Sequence, residues 1–310
     1  MKVIVTLSGG KDSTATLILA LNKFNRSNLI FLFCDTGWEH EITYKYLDYL
    51  EERFGINIIR TRSYKFDSLV DLAKKKGRFP STKSRFCTEE LKVKPMIDFI
   101  LDQVNDNILV LQGIRAEESH KRATMPKNCE FFKFYFEPYT YDKNGRGKYY
   151  TYRKADVISF CKEYVHDVDR PIIDWSESDV FAFLEANFTE RNKLYDMGFH
   201  RVGCFPCIMC GKEEFKLIVK NFPAWIQGLA KQEEQIGASF FPPKYIPKTY
   251  CSIQKEIFDK RSGKSRLVFI PTVTDVAKYV FTRAYSRNKK MRDKTLSLFG
   301  CSNNLNPCEV

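Results

Sequence analysis

The residues best suited to chemistry near the start of the chain form one short run, Ser8-Gly9-Gly10-Lys11-Asp12-Ser13. The run separates an apolar segment, Val3 to Leu7, from a segment with helical periodicity, so it predicts a turn from a strand into a helix. Unpaired backbone N–H groups and the helix dipole attract an anion to such a turn, and glycine lets the backbone approach a phosphate closely. The four-residue spacer of a Walker A loop is absent. The run predicts a phosphate-binding loop of another kind, with a tight structural turn as the alternative.

The side chains of this run fit distinct roles around a phosphate chain. Lys11 can neutralise developing negative charge as a point cation. Asp12 can hold Mg²⁺ on the phosphates, or it can be a helix-capping carboxylate. The remaining residues can hold pyrophosphate oxygens through hydroxyl groups or backbone amides: Ser8, Gly9, Gly10 and Ser13.

Three cysteines later in the chain have a spacing typical of metal ligands: Cys204, Cys207 and Cys210. Two consecutive C-x-x-C steps let three thiolates converge on one centre, which suits a 4Fe-4S cluster or zinc. Either centre requires a fourth ligand. Buried or redox-active thiols are the alternative. Four further cysteines are isolated and are expected to be ordinary thiols: Cys34, Cys129, Cys161 and Cys251.

Short apolar runs alternate with segments of helical periodicity over the first part of the chain. The predicted strands are Val3 to Leu7, Leu29 to Cys34, Ile56 to Arg60 and Ile108 to Gln112. The predicted helices are Thr14 to Asn25, Glu39 to Phe54 and Thr88 to Asp102. This order predicts an α/β fold with a doubly wound parallel sheet, whose ligand lies at the carboxyl ends of the strands.

The pattern changes after Gly113. Phe131 to Phe136 and Tyr149 to Arg153 are predicted as aromatic strands on either side of a turn-rich segment, 142–147. Ser176 is predicted to cap a helix with Asp179 at its third position. We expect two domains, a nucleotide-binding domain over residues 1–203 and a cysteine-containing, basic C-terminal region over residues 204–310.

The positive charge of the chain is concentrated in one segment. The formal net charge is +12, and residues 240–300 hold fourteen Lys and Arg against four acidic residues. Such a local excess attracts polyanions, so nucleic acid is a predicted partner of this segment, with a solvated basic face as the alternative.

The composition predicts a globular protein outside the membrane. The chain has 310 residues, of which 44% are hydrophobic, so it can bury a sizeable core. No run of about 18 apolar residues occurs, and the first residues lead into the glycine run rather than a signal-peptide pattern. Ten cysteines without a secretory signal favour thiols, metal ligands or redox chemistry over disulfides. We expect a soluble, cytoplasmic protein with no membrane partner.

Five blocks of the sequence together resemble one family. The run from Ser8 to Ser13 resembles the S-G-G-x-D-S signature of PP-loop ATP pyrophosphatases. Four later blocks resemble their phosphoadenosine phosphosulfate (PAPS) reductase-like branch: Cys34 to Gly37 (D-T-G), Arg85 to Pro95 (R-x-C-T-x-x-L-K-x-x-P), Gly113 to Ser119 with Arg122 (G-I-R-x-x-E-S-x-x-R), and Pro171 to Val180 (P-I-x-x-W-x-x-x-D-V). The blocks occur in the family's order over about the first 210 residues.

The resemblance implies an adenine nucleotide alpha hydrolase-like fold and a set of site residues. Asp35 would line the nucleotide cleft and accept a hydrogen bond from the ribose or adenine. Gly113, Arg115 and Arg122 would belong to the anion site, although an ion pair with Glu117 or Glu118 is the alternative for each arginine. Cys87 would lie beside the cleft and supply the fourth ligand of the cysteine centre.

The sequence departs from the reductases of this branch. The tail lacks their E-C-G-x-H-type segment, since Cys301 and Cys308 have other neighbours, and Cys87 is not part of a Cys-Cys step. The favoured hypothesis is therefore an ATP pyrophosphatase that adenylates a target for sulfur transfer, as in DNA phosphorothioation. ATP, Mg²⁺, a nucleic acid and a sulfur donor such as a cysteine desulfurase would take part. The alternatives are a PAPS or adenylyl sulfate reductase that forms sulfite, and a nucleotide-responsive nucleic-acid-binding module.

Overall fold

The computed structural model describes residues 1–259, 263–287 and 289–290. Its strands are, in chain order, β1 (Lys2–Leu7), β2 (Leu29–Cys34), β3 (Ile58–Thr61), β4 (Ile108–Leu111), β5 (Asn128–Glu130), β6 (Thr140–Tyr141), β7 (Gly147–Lys148), β8 (His166–Asp169), β9 (Ile253–Asp259) and β10 (Lys264–Ile270). Its α-helices are α1 (Lys11–Lys23), α2 (Glu41–Phe54), α3 (Leu69–Lys76), α4 (Phe86–Thr88), α5 (Lys94–Gln103), α6 (His120–Ala123), α7 (Lys133–Phe136), α8 (Lys154–Glu163), α9 (Glu177–Ala186), α10 (Lys193–Asp196), α11 (Lys212–Asn221), α12 (Pro223–Ile236) and α13 (Val273–Tyr279).

The chain divides into two compact units. The first comprises residues 1–65, 89–196 and 201–203, and the second comprises residues 66–88, 197–200 and 204–310. The predicted domain boundary between residues 203 and 204 stays a prediction, and segment 66–88 is the longest stretch that the two divisions place differently.

A six-stranded sheet forms the centre of the first unit, with the order β3-β2-β1-β4-β8-β5. Strand β1 pairs in parallel with β2 and with β4, with Val3 opposite both Leu29 and Leu109. All pairs are parallel except the last, because the short edge strand β5 runs antiparallel to β8. The predicted doubly wound α/β sheet is therefore confirmed, with one antiparallel strand at its edge.

Helices cover both faces of this sheet because alternate strand residues point to opposite sides. Ile4 of β1 packs with α5 and α8 on one face, whereas Val3 and Val5 pack with α1 and α2 on the other. Because both faces of the central strands β1, β2 and β4 are buried against helices, nearly every residue of these strands is apolar, and they form continuous apolar runs in the sequence.

The predicted start of α9 is confirmed. The Ser176 hydroxyl accepts from the Asp179 amide, and the Asp179 carboxylate accepts from the Ser176 amide at 2.8 Å, so the two form a capping box. Such reciprocal contacts satisfy amides that the first helical turn leaves unpaired.

The prediction of strands at Phe131–Phe136 and Tyr149–Arg153 is wrong. Residues 133–136 form helix α7, and 149–153 form no strand. Phe132 and Tyr135 are three positions apart, so a helical turn places both rings in the core, where their centroids are 5.7 Å apart. A hairpin does occur between these segments, where β6 pairs with β7 and Thr140 lies opposite Lys148.

Helices α3, α11, α12 and α13 pack together in the second unit, which also contains the antiparallel hairpin β9–β10. A buried carboxylate, Glu233, links its parts by accepting from the amides of Phe240 (2.7 Å) and Val273 (2.8 Å). Burial raises the pKa of Glu233. Within the residues that the structure describes, no helix is long and apolar enough to cross a bilayer.

Candidate functional site

The glycine run lies where β1, a central strand of the sheet, leads into α1. Gly10 precedes the first helical residue with an extended backbone, and Gly9 has a φ of +72°. A Cβ on Gly9 would lie 2.6 Å from Cγ2 of Thr43. Only glycine fits this position without strain, and the turn presents the first amides of α1 at the carboxyl end of the strand.

The two serines of the run stabilise its curvature. The Ser13 hydroxyl accepts from the Ser8 amide at 3.2 Å and donates to the Gly10 carbonyl at 2.9 Å. The hydroxyl oxygens of Ser8 and Ser13 are 3.2 Å apart. The predicted oxygen- and amide-bearing residues are thus brought together in one loop.

Lys11 is a buried cation beside this loop, with 4% of its surface exposed. Its Nζ lies 3.2 Å from Oδ2 of Asp12 and 3.1 Å from Oε1 of Glu177. The rings of Phe181 and Tyr195 flank it, with centroids 5.8 Å and 5.4 Å from Nζ. Because a buried ammonium is poorly hydrated, these carboxylates and ring faces provide its main stabilisation.

Arg115 is a second buried cation at the same helix terminus. Its Nε donates to Oδ1 of Asp12 at 2.5 Å, and its Nη1 donates to Oε2 of Glu117 at 2.5 Å. Burial opposes the charge of Arg115, but its interactions with Asp12, Glu117 and Glu118 together outweigh burial, and the pKa of Arg115 is raised. Arg122 pairs with Glu118, so the ion-pair alternative for both arginines is present in the structure.

The partners of Asp12 bear on the predicted Mg²⁺ role. Its Oδ1 accepts from Arg115 and its Oδ2 accepts from Lys11, so both carboxylate oxygens are already engaged by cations. No group of three or more metal-ligating side chains occurs within the described ranges. A magnesium ion on a nucleotide takes one or two carboxylates together with phosphate oxygens, so the Mg²⁺ role of Asp12 stays a prediction.

Gly113 follows β4 and permits a close packing contact. A Cβ here would lie 2.6 Å from the Asp12 carbonyl oxygen and 2.8 Å from the Ser13 nitrogen. The end of β4 therefore touches the backbone of the first turn of α1. Gly113 thus packs against the first turn of α1 and fixes the position of the backbone amides in that turn.

Asp35 lies directly after β2 and is almost fully buried. Its Oδ1 accepts from the Gly37 amide (2.9 Å) and the Tyr44 hydroxyl (2.7 Å), and its Oδ2 accepts from Nε of Arg62 (2.8 Å). Burial acts to raise the pKa of Asp35, but these donors outweigh it and the pKa is lowered. Asp35 is thus an ionised carboxylate at the predicted edge of the sheet.

Sequence reasoning missed two residues that hold the loop, the buried Asn192 and the partly buried Tyr195. Asn192 donates from Nδ2 to the Gly9 carbonyl at 3.1 Å, and the Tyr195 hydroxyl accepts from the Lys11 amide at 3.0 Å. Both lie more than 180 residues from their partners. They belong to a polar segment without a motif, so the sequence gives no signal for either.

The comparison with known families agrees with this geometry. The model of the phosphoadenosine phosphosulfate reductase domain matches residues 2–210. The chain belongs to this family. The match covers the whole glycine run, Asp35, Arg115 and the three closely spaced cysteines.

Relatives of this PAPS reductase family member fall into two groups. An uncharacterised 37.8 kDa protein of Escherichia phage 186 is 32% identical, and the match covers 79% of this chain and 80% of that protein. An uncharacterised protein of Methanocaldococcus jannaschii is 34% identical over 71% of this chain, but the match spans only 39% of its own length. An adenosine 5'-phosphosulfate reductase of Neisseria meningitidis serogroup A is 30% identical, over 58% of this chain and 62% of that enzyme.

The four predicted metal ligands of this family member, Cys87, Cys204, Cys207 and Cys210, all belong to the second compact unit. A tight turn joins the last two, since the Cys210 amide donates to the Cys207 carbonyl at 2.8 Å. The Cys207 sulfur accepts from the Met209 amide at 3.5 Å. Over the described part of the chain, their thiols do not form a group arranged to hold a metal. The ligand set stays a prediction.

The remaining predicted features are an isolated thiol and the basic segment. Burial raises the pKa of the Cys34 thiol to about 12, as expected for an ordinary buried thiol. Lys289 of the basic segment pairs with Glu213 at 3.0 Å. Cys301, Cys308 and part of the basic segment lie outside the described residues. The cations of that segment that are exposed include Lys244, Lys248, Lys255, Lys264, Arg266, Lys278, Arg283, Arg287 and Lys290.

Proposed function

We propose that this protein binds ATP at the loop from Ser8 to Ser13 and cleaves it between the α and β phosphates. The observation that supports this most directly is the pair of buried cations, Lys11 and Arg115, at an α1 terminus formed by glycines. Backbone amides and two buried cations suit a leaving pyrophosphate, because they can stabilise the negative charge that develops on it.

Each residue of the loop has a role in this proposal. The amides of Gly9 and Gly10 and the hydroxyl of Ser8 bind the β and γ phosphates. An acceptor oxygen forms a bond to the α-phosphorus as the bond to the bridging oxygen breaks, and pyrophosphate leaves with that oxygen. Lys11 and Arg115 neutralise the charge that develops on it. Asp12 orients both cations through its two oxygens.

The finer proposal concerns the step after adenylation. We favour a nucleic acid as the acceptor and a sulfur nucleophile that displaces AMP from it, as in DNA phosphorothioation. The exposed cations of residues 240–300 provide charge complementary to a polyanion. A sulfur donor such as a cysteine desulfurase would supply the sulfur. Cys87 with the three later cysteines would serve as a 4Fe-4S cluster, a zinc site or free thiolates.

Pyrophosphate release by protein purified without oxygen tests the first step. We expect AMP and pyrophosphate from ATP, and no release from the double variant Ser8→Ala, Asp12→Ala. This variant lacks the Ser8 hydroxyl that donates a hydrogen bond to phosphate and the Asp12 carboxylate that holds both cations. The double variant Ser27→Ala, Asp48→Ala is a matched control in the same unit, since both residues are exposed. Wild-type release from the first variant would remove the loop from the mechanism.

The similarity to the adenosine 5'-phosphosulfate reductase of Neisseria meningitidis supports a second candidate, reduction of adenylyl sulfate to sulfite and AMP. Two electrons from thiols would reduce the sulfur of the sulfate group. Sulfite release from adenylyl sulfate or PAPS in the presence of thioredoxin would support this candidate instead. A protein that forms neither pyrophosphate nor sulfite would be a nucleotide-responsive binding module.

The cysteine proposal predicts a colour. Protein purified without oxygen is expected to show the broad brown absorbance of an iron–sulfur cluster, with bound iron and sulfide. Cys204→Ser with Cys207→Ser should abolish it, whereas Cys251→Ser, in the same unit, should retain it. Colourless protein with bound zinc, or with no metal, would contradict the cluster.

A further inference from the structure

A group of exposed aromatic rings lies on the first unit, away from the glycine run in sequence. We call it the aromatic platform and define it as Phe134, Phe136, Tyr139, Tyr141, Tyr149 and Tyr150. Between 36% and 65% of each residue is exposed. Single exposed rings are common on protein surfaces, but here Phe134, Tyr139 and Tyr150 pack against one another, and such a cluster is a candidate interaction site.

The rings are held in place rather than loosely attached. The centroids of Tyr139 and Tyr150 are 5.0 Å apart, and Phe134 lies 5.8 Å from Tyr150. The Tyr150 amide donates to the Phe134 carbonyl at 2.9 Å, and the Tyr139 amide donates to the Lys148 carbonyl at 2.9 Å. Buried Tyr135 underlies them, 6.1 Å from Tyr150. The platform therefore offers preformed ring surfaces at little entropic cost on binding.

Unpaired positive charge lies on the β6–β7 hairpin and at the start of α8, in the same segment as the platform. Lys143, Arg146, Lys148 and Lys154 are exposed, and none has a carboxylate at ion-pair distance among the residues that the structure describes. The Asp142 carboxylate instead caps the hairpin turn, accepting from the Arg146 amide at 2.9 Å. The nearby carboxylates Glu89 and Glu137 are each paired with a lysine. The unpaired charge on the hairpin beside the rings is therefore mainly positive.

Other cations of the segment serve the fold. Arg153 pairs with Asp98 (3.1 Å) and Asp102 (2.8 Å), and Lys133 pairs with Glu137 (3.1 Å). Arg153 and Lys133 therefore stabilise the structure, whereas the four unpaired cations are available to a ligand.

We propose that the aromatic platform binds single-stranded nucleic acid. Bases stack on the exposed rings, and the four accessible cations neutralise phosphates. A duplex hides the faces of its bases, so it engages the cations alone. A protein partner also uses exposed tyrosines, but it gives no reason for four unpaired cations around them. The proposal goes beyond the pyrophosphatase chemistry, since it requires neither ATP cleavage nor sulfur.

The test is fluorescence anisotropy with labelled 20-residue oligomers of deoxythymidine and of uridine, and with a duplex of equal length. The full chain is expected to bind the single strands more tightly than the duplex. Tyr139→Ala with Tyr150→Ala should weaken single-strand binding by about a hundredfold, or about tenfold per ring, and abolish the preference. Tyr64→Ala is the matched control, because Tyr64 is 78% exposed in the same unit but outside the platform.

A second variant tests the phosphate contacts. Lys143→Ala with Arg146→Ala should reduce the dependence of log affinity on log salt by about 1.4, since each phosphate contact contributes about 0.7 for single strands. Equal affinity for single strand and duplex, or unchanged single-strand binding by the tyrosine variant, would overturn the proposal, because the rings would then contribute nothing to binding. Urea unfolding of the same variants shows whether they fold. Pyrophosphate release by the wild type is measured separately, so this outcome does not depend on the proposed function. The two oligomers distinguish DNA from RNA.

Discussion

Arg115→Lys is expected to lower the rate of pyrophosphate release from ATP by about 10²–10³-fold while the protein remains folded. The guanidinium contacts Asp12 through Nε and Glu117 through Nη1, and one planar group spans both carboxylates. A lysine ammonium keeps the charge but cannot reproduce that fork. Asp12 then loses one of its two cationic partners, and the positive charge at position 115 moves away from the leaving pyrophosphate. The measurement is AMP and pyrophosphate formation at saturating ATP, with thermal unfolding as the check on the fold.

Arg60→Lys is the matched control for this variant. Arg60 also contacts two carboxylates, Asp48 at 2.7 Å and Glu51 at 2.6 Å, but it lies at the surface of the same unit. Exposed ion pairs contribute little, so its activity should stay within about twofold of wild type. If Arg115→Lys also retained full activity, Arg115 would be only a structural ion-pair partner.

Gly113→Ala is expected to weaken ATP binding by about tenfold or more and to lower the free energy of unfolding by about 1–3 kcal/mol. The added Cβ meets backbone atoms of Asp12 and Ser13 at less than 3 Å, and backbone cannot rotate away as a side chain can. The first turn of α1 must therefore shift together with the amides that it presents. Calorimetric titration with ATP and urea unfolding measure the two effects.

Gly228→Ala provides the control for this glycine substitution. Gly228 lies within α12, and a Cβ there would have no atom within 4 Å. Alanine at such a site should stabilise the protein by about 0.4–1 kcal/mol and leave ATP binding unchanged. Wild-type binding and stability in Gly113→Ala would show that the contact between β4 and α1 can relax.

Much of the first unit could be predicted because its signals are local. A buried parallel strand is a short apolar run, and the glycine run that follows β1 is contiguous, so both can be recognised in a few residues. The capping box of α9 is predictable for the same reason, since Ser176 and Asp179 are three positions apart.

Other features depend on long-range contacts or on ambiguous patterns. Tyr195 and Asn192 reach the loop only after the chain has folded, and no spacing relates them to Lys11 or Gly9. The aromatic segment 131–136 fits both a strand and a short helix, and the burial of Phe132 beside Tyr135 favours the helix. The pairing of Arg115 with Asp12 joins residues 103 positions apart, so only the local alternative with Glu117 was visible in the sequence.

Three carboxylates, Asp12, Glu117 and Glu177, surround the two cations Lys11 and Arg115, so this terminus has no surplus positive charge before any nucleotide arrives. In the proposed reaction, a triphosphate would therefore compete with Asp12, Glu117 and Glu177 for these two cations. Because an intramolecular ion pair is broken for each one formed, the net gain per phosphate contact is smaller than at an uncompensated cation. This competition would favour a polyphosphate over a single small anion, since only a ligand with several linked charges can displace several carboxylates at once.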